Sequence, residues 1–255
     1  MNDYGWWYQE DDGSYPANTW KSINGKWYYF DGNGYMLTGW QEIEGEWYYL
    51  NEDGVMQTGW QQIQGKWYWF GTTGAWQRGY QIAKNSEVTV QQLIGYYKKS
   101  GKQYPGDALG KGGAADIEIF CKIYMEEALA EGIAVEVAFG QAMLETGWLQ
   151  YGGDIKIDQF NFAGLGAVGG GAAGATFKNV REGVRAHIQH LKCYANSEPL
   201  NNTCVDPRWS NSLRGKAAYV EWLSIKHNPY GIGWAEDPDY GGKLMTQVEG
   251  IKNIK

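Results

Sequence analysis

Gly59-Trp60-Gln61-Gln62-Ile63-Gln64-Gly65-Lys66-Trp67-Tyr68-Trp69-Phe70 is the clearest copy of a unit that recurs through the first part of the chain, and Gly39 to Leu50 repeats it closely. Working outward, Trp7, Trp27, Trp47 and Trp67 stand twenty residues apart, each followed by a tyrosine. Trp20, Trp40 and Trp60 form a second series of the same period, with Tyr80 in the fourth place. A fixed period near twenty is the signature of a solenoid built from one small unit. Rings spaced so evenly either stack on each other or line something repeated.

Trp27-Tyr28-Tyr29-Phe30 places bulky side chains on both faces, which suits a short strand. Asp31-Gly32-Asn33-Gly34 and Asn51-Glu52-Asp53-Gly54 are turn chemistry. The expected hairpin therefore runs from Trp27–Phe30 through that turn into Tyr35-Met36-Leu37-Thr38. A lone hairpin is marginal in water, so neighbours must stack to bury their faces.

Residues 5–80 resemble the choline-binding repeats of surface proteins and lysins of Gram-positive bacteria and their phages. The resemblance rests on Gly-Trp, then Gly-x-Trp-Tyr-Tyr, then Gly-x-Met-x-Thr-Gly-Trp, nearly intact in the middle copies. It implies aromatic cages for a quaternary ammonium between consecutive hairpins. One cage would be Trp20, Trp27 and Tyr48, the next Trp40, Trp47 and Tyr68, with Met36 and Met56 close by. Trp60 and Trp67 would begin a third that no further copy completes. The physics fits, since each ring face attracts a cation by ~0.5–2 kcal/mol. The first copy departs from the pattern, with Gly13-Ser14-Tyr15-Pro16 in place of Gly-x-Met. Rings that only glue the solenoid are the alternative.

Charge divides the chain the same way. Residues 1–80 carry ten acidic and four basic side chains, whereas the remainder carries nineteen and eighteen. An acidic aromatic face suits a cation and argues against nucleic acid, whose phosphates need a basic surface. No run is long and apolar enough to span a membrane, and no secretory h-region is evident. The expected organisation is a solenoid of about four β-hairpin repeats over residues 1–82, then a mainly α domain over 83–255. The latter is ample for one core.

Helical spacing of apolar residues predicts helices starting near Val88, over Asp116–Glu131, from Val135 to about Gly147, and over Val180–Tyr194, Ser212–Leu223 and Leu244–Ile251. Residues 149–176 read as irregular. Their glycines are no phosphate loop, because no GK[ST] follows. Glu145 ends an apolar helix in Gln141-Ala142-Met143-Leu144-Glu145-Thr146-Gly147-Trp148. The helix dipole and apolar neighbours both raise a carboxyl's pKa there. A general acid for glycoside cleavage must hold its proton near neutral pH. An exposed helix-end glutamate is the plainer reading of that segment alone.

Four motifs in order resemble the glucosaminidases of glycoside hydrolase family 73. They are Ala142-x-x-Glu145-Thr146-Gly147-Trp148, Asn161-Phe162-Ala163-Gly164-Leu165, Phe177-x-x-Val180-x-x-Gly183, and Trp234-Ala235-Glu236-Asp237-Pro238-Asp239-Tyr240. Trp234 replaces the family's tyrosine. The resemblance implies a lysozyme-like α fold, Glu145 as catalytic acid, and Tyr240, Trp148, Asn161, Phe162 and Trp234 around the sugar. Many family members carry a second carboxylate in a β-hairpin lobe; here Ala167 to Thr176 is small and uncharged. Asp158, then Asp154, are the acidic candidates, and Glu182 reads as a first-turn charge. Attack by the substrate's own N-acetyl group stays open beside them.

No metal or cofactor is expected. His187 and His190 share a helix face but lack a third ligand. Cys121 reads as a buried thiol. Cys193 and Cys204 bracket an Asn/Pro loop and could form a disulfide, which would suit an extracellular setting; the sequence leaves open whether they are bridged. The reading is a secreted, wall-associated hydrolase, or one released at lysis. It would bind choline of teichoic or lipoteichoic acid and cleave the β-1,4 bond after N-acetylglucosamine in peptidoglycan. A muramidase or lytic transglycosylase of the same fold, and a non-catalytic choline-binding adhesin, are the rivals.

Overall fold

The computed structural model describes residues 5–77, 79–167 and 174–255, the side chain of Trp67 excepted. The chain divides into two compact units, Met1–Gly79 and Tyr80–Lys255.

In the first unit three antiparallel hairpins share one design. β1 (Thr19–Ile23) pairs with β2 (Lys26–Phe30), β3 (Gly39–Ile43) with β4 (Glu46–Leu50), and β5 (Gly59–Ile63) with β6 (Lys66–Phe70). β7 (Trp76–Gln77) adds to β6. Equivalent rings oppose each other in every copy: Trp20 faces Tyr29, Trp40 faces Tyr49, and Trp60 faces Trp69.

The hairpin expected from the sequence is placed one strand too late. Trp27–Phe30 pairs backwards with Thr19–Ile23, through the two-residue turn Asn24-Gly25 at φ 52° and 76°. Both residues in the left-handed region is what a type I′ turn demands, and its twist matches the strands it joins. Glu44-Gly45 and Gln64-Gly65 repeat the conformation. Asp31-Gly34 is a turn, but one held by a side chain: Asp31 Oδ1 accepts from the Asn33 and Tyr35 amides at 2.9 and 2.8 Å. Beyond it, Tyr35 and Met36 make isolated bridges to Trp7 and Phe30 rather than a strand.

Successive copies interlock. The Met56 amide donates to the Trp27 carbonyl at 2.8 Å, and the Met36 amide to that of Trp6 at 2.8 Å. A Cβ on Gly54 would overlap the Met36 sulfur, and one on Gly74 would overlap that of Met56. Each methionine therefore fills space that only a glycine in the next copy leaves open. Phe30, Leu50 and Phe70 are buried in the same position of each copy.

The second unit is helical. α1 (Val90–Lys99) starts at a Thr89 capping box with Gln92. α2 (Gly106–Leu109) is a single turn. α3 (Ile117–Glu131) is capped by Asp116. α4 (Val135–Glu145) is buried from Val135 to Met143, as befits a helix apolar on every side. α5 (Val180–Ala195) is capped by Asn179, while Glu182 accepts from the Lys178 amide at 2.6 Å. α6 (Tyr240–Lys252) packs on α4.

The helix expected over Ser212–Leu223 is absent, and only Val220–Leu223 forms a 3₁₀ turn. Backbone groups there bond outward instead. Gly215 donates to the Cys193 carbonyl, Ala217 to Tyr194 and Val220 to Tyr80. An i to i−4 ladder cannot form when its donors are spent elsewhere. Nor do Cys193 and Cys204 pair: both are free thiols, Cys193 bonded to the Ser210 carbonyl at 3.3 Å and Cys204 exposed.

Candidate active site

Glu145 is the last residue of α4, and the chain turns sharply to present it. Thr146 Oγ1 donates to the Ala142 carbonyl at 2.6 Å and accepts from the Leu149 amide at 2.9 Å. Gly147, Trp148 and Leu149 then sit consecutively at φ 57°, 62° and 60°. Two non-glycine residues in that region carry backbone strain, of the kind that clusters at functional sites.

The turn opens Glu145 into a pocket of about 560 Å³ whose wall includes Gly164, Leu165, Trp234, Glu236 and Tyr240. The side chain reaches solvent through that pocket, yet protein surrounds it densely. Desolvation raises its pKa above the ordinary carboxyl value, with hydrogen bonds from Tyr240 and Trp234 pulling the other way. The Tyr240 hydroxyl donates a hydrogen bond to Glu145 Oε1. Tyr240 is buried, and burial beside Glu145 pushes its own pKa well up, so it stays a protonated donor.

Sequence-expected residues fall into two groups. Glu145, Trp234 and Tyr240 meet at the pocket. Asp158 and Asp154 are exposed and do not line it. Asn161 lies beneath the wall: its Nδ2 donates to the Leu165 and Ala175 carbonyls at 2.9 and 3.0 Å, and its Oδ1 accepts from the Leu165 amide at 3.0 Å. It shapes the loop that brings Gly164 beside Glu145. Phe162 is core, packed on Phe120 at 5.1 Å between ring centres. Trp148 stacks on Tyr96 at 5.1 Å, away from the pocket lining.

Several pocket residues were not anticipated. His190 packs edge-on against Trp234 at 5.1 Å, and its Nδ1 is 2.9 Å from Asp206 Oδ2. Tyr194, Arg208 and Glu236 also contribute to the wall. Behind Tyr240 stand Gln141 and His187, both fully buried. Gln141 was findable, since it precedes Glu145 by one helical turn and shares its face. His187 reads from the sequence as a surface or core histidine, and nothing in its spacing marks the bond to Gln141. Among the described residues no cluster of three His, Cys, Asp or Glu side chains stands ready for a metal.

In the first unit, Trp20 and Tyr48 meet edge to face at 4.8 Å, as do Trp40 and Tyr68. Trp47 closes on Trp40 at 6.3 Å. Trp27 and Trp47 remain 47% and 41% exposed, so each corner keeps an open ring. Met36 and Met56 belong to the interlock already described. Trp76, unanticipated, packs on Trp40 and Tyr68 at 6.1 Å each. Trp60 packs on Trp69 at 5.4 Å, while the side chain of Trp67 lies outside the described residues.

Residues 17–58 and 37–79 match the family model of the choline-binding repeat. An uncharacterised protein of Borreliella burgdorferi is 38% identical over 128 residues, which are 50% of this chain and 59% of that protein. The chain therefore spans less than two thirds of that relative's length. Among solved structures, the multimodular pneumococcal cell wall endolysin from phage Cp-1 complexed with choline is 42% identical over 31% of this chain and 24% of that one, with a TM-score of 0.30. Choline binding protein F from Streptococcus pneumoniae is 41% identical over 31% and 27%, also with a TM-score of 0.30. Residues 121–253 match the model of the glucosaminidase family, described as mannosyl-glycoprotein endo-beta-N-acetylglucosaminidase, and with more than half of its length so matched the chain belongs to that family.

Proposed function

We propose that the chain is a two-domain wall hydrolase. The repeats before Tyr80 form a solenoid that docks on choline of teichoic or lipoteichoic acids, and residues 80–255, which begin earlier than the boundary expected at residue 83 because Tyr80 and Ile82 bond to Val220 and Ala218, form a lysozyme-like domain that cleaves the β-1,4 bond after N-acetylglucosamine in peptidoglycan. One observation carries the catalytic reading: Glu145 lines an open pocket with its pKa raised by desolvation and Tyr240 bonded to it. That is the environment of a general acid. The interlocked methionines and paired rings support the solenoid and its cages at Trp20/Trp27/Tyr48 and Trp40/Trp47/Tyr68.

With Asp154 and Asp158 outside the pocket wall, the N-acetyl route fits best. The acetamido oxygen of the substrate attacks the anomeric carbon while Glu145 gives its proton to the departing glycosidic oxygen. Water then opens the oxazolinium, and the Glu145 carboxylate takes the water's proton. Trp234 and Tyr240 flank the reacting sugar. Tethering through the repeats raises local substrate concentration without touching the chemistry. The protein would work outside the cell membrane, on the wall.

The test is mass spectrometry of choline-containing walls digested with the protein and with Glu145→Gln. Fragments ending in reducible N-acetylglucosamine, lost in the variant, are expected. Ends of muramic acid or its anhydro form would move the enzyme to the rival bond, and undigested walls would leave a binding protein.

A further inference from the structure

The hydrogen bonds behind Tyr240 all point one way. Tyr240 donates to Glu145 Oε1 and accepts from Gln141 Nε2 at 2.7 Å. An amide oxygen only accepts and its nitrogen only donates. With its nitrogen spent on Tyr240, Gln141 must accept at Oε1, where His187 Nε2 stands at 2.8 Å. His187 therefore carries its hydrogen on Nε2. Its Nδ1 then holds the lone pair and accepts from the Tyr124 hydroxyl at 3.1 Å. Tyr124, Gln141 and His187 are fully buried and Tyr240 nearly so. The chain thus crosses α3, α5, α4 and α6 out of reach of solvent.

Reversing it would take an amide flip, a tautomer exchange and two hydroxyl rotations together. The reversed chain would also turn a lone pair of Tyr240 toward Glu145 when that carboxylate is ionised.

We propose that Gln141 and His187 are positioning residues: they hold Tyr240 as a permanent donor to Glu145 Oε1, and so confine the acid proton to Oε2. This rests on Glu145 being the acid. Oε2 is the oxygen beside Gly164 of the pocket wall, where a Cβ would come within 3.9 Å of it. The proton would leave from Oε2 as the glycosidic bond breaks, and the water's proton would return to Oε2. Oε1 stays occupied in both half-reactions, so nothing has to reorient between them.

The surroundings keep the relay set. Burial, then the neighbouring His190, push the His187 pKa down to about 3, so the ring stays neutral and keeps its acceptor. Among the described residues, Tyr124, Gln141, His190 and Trp234 stand against His187, and none of these four is a carboxylate. Around Glu145 the titratable or charged groups of the pocket are Tyr240, His190, Tyr194, Arg208 and Glu236.

Two NMR measurements on the full chain test this without relying on turnover. Histidine ¹⁵N shifts should show His187 as the neutral Nε2–H tautomer between about pH 5 and 8. The Glu145 carboxyl ¹³C titration should move up by about half a pH unit in Gln141→Met, because a Tyr240 freed of its donor can accept from protonated Glu145. In that variant kcat should fall about tenfold with KM little changed. Tyr124→Phe should shift the titration the same way by less, and serves if Gln141→Met does not fold. An Nδ1–H tautomer or an imidazolium at His187, or an unmoved Glu145 titration in the folded variants, overturns the relay. A chain that passes both NMR tests but cleaves no glycan keeps the relay and loses the enzymatic reading. One that cleaves glycan with the opposite tautomer loses the relay alone.

Discussion

As the proposed acid, Glu145 would have to hold a proton against neutral solvent and then give it up, and its neighbours pull in opposite directions. Dense surroundings favour the neutral form, while Tyr240 and Trp234 favour the charged one. As an acid it works only while protonated, so activity should fall as pH rises through its raised pKa, at a limb above the ordinary carboxylate range. Trp234→Phe removes an N–H that stabilises the carboxylate and should move that limb to higher pH in a kcat/KM profile. Glu145→Gln should cost about a thousandfold in kcat, with binding to a choline resin unchanged. On the choline side, Trp47→Ala is the cleaner probe. Trp40 packs on Tyr49 and Phe70 as well as on Tyr68, so its loss damages the core, whereas Trp47 is largely exposed. Trp47→Ala should weaken choline retention by about 1–2 kcal/mol with the melting temperature nearly unchanged. Glu145 and Tyr240 were legible because each lies inside a short motif. His187 as Tyr240's support was not, because the contact through Gln141 joins α5 to α4 across 46 positions and no local pattern marks it.

At the scale of elements, the hairpin register shows what a pattern conceals. Alternation marks the strand Trp27–Phe30, but its partner, Thr19–Ile23, lies before it rather than after it. The signal that settles it, Asn24-Gly25, is a type I′ turn in its usual spelling. Later copies write it as Glu-Gly and Gln-Gly, less familiar residues in the same left-handed conformation. Asp31 to Gly34 looked like the hairpin turn because aspartate, asparagine and glycine favour any tight turn. The missing helix over Ser212–Leu223 has the same lesson: apolar spacing was present, but bonds from Gly215, Ala217 and Val220 to distant carbonyls decided the backbone. Where packing demanded one residue type, the motif was exact in its meaning. A Cβ on Gly183 would overlap the Phe160 carbonyl, so α5 can approach the loop before Asn161 only through glycine. Gly183→Ala should destabilise the helical unit by about 3 kcal/mol, read from its urea midpoint, and should lower activity through misplacement of the Gly164 loop.

Across the whole molecule, the two units answer to different variables. The repeats are acidic and aromatic, and free choline should therefore inhibit wall lysis while leaving cleavage of soluble glycan fragments unaffected. The helical unit carries a pH dependence of its own. Burial pushes the Glu221 pKa up to about 7, against hydrogen bonds that include the Tyr80 amide. The folded state then holds this proton more tightly than the unfolded chain. Stability from that linkage is full below the ordinary value of 4.5 and is lost as pH climbs toward about 7. Glu221→Gln should flatten the urea midpoint across that window. A twenty-residue period and a helical period are different signals, but neither marks the junction itself, where Tyr80 and Ile82 bond to the helical unit.

The methionine of one copy filling the glycine gap of the next has a consequence for how such a chain changes over generations. Donor and recipient are always a fixed distance apart, so the joint is indifferent to which copies supply them. Adding or removing a whole twenty-residue period between the two methionine joints would leave each methionine facing a glycine, whereas a shift out of phase would set methionine against a side chain. If the repeats bind as proposed, the number of binding sites could then change by whole periods without any change to the helical unit.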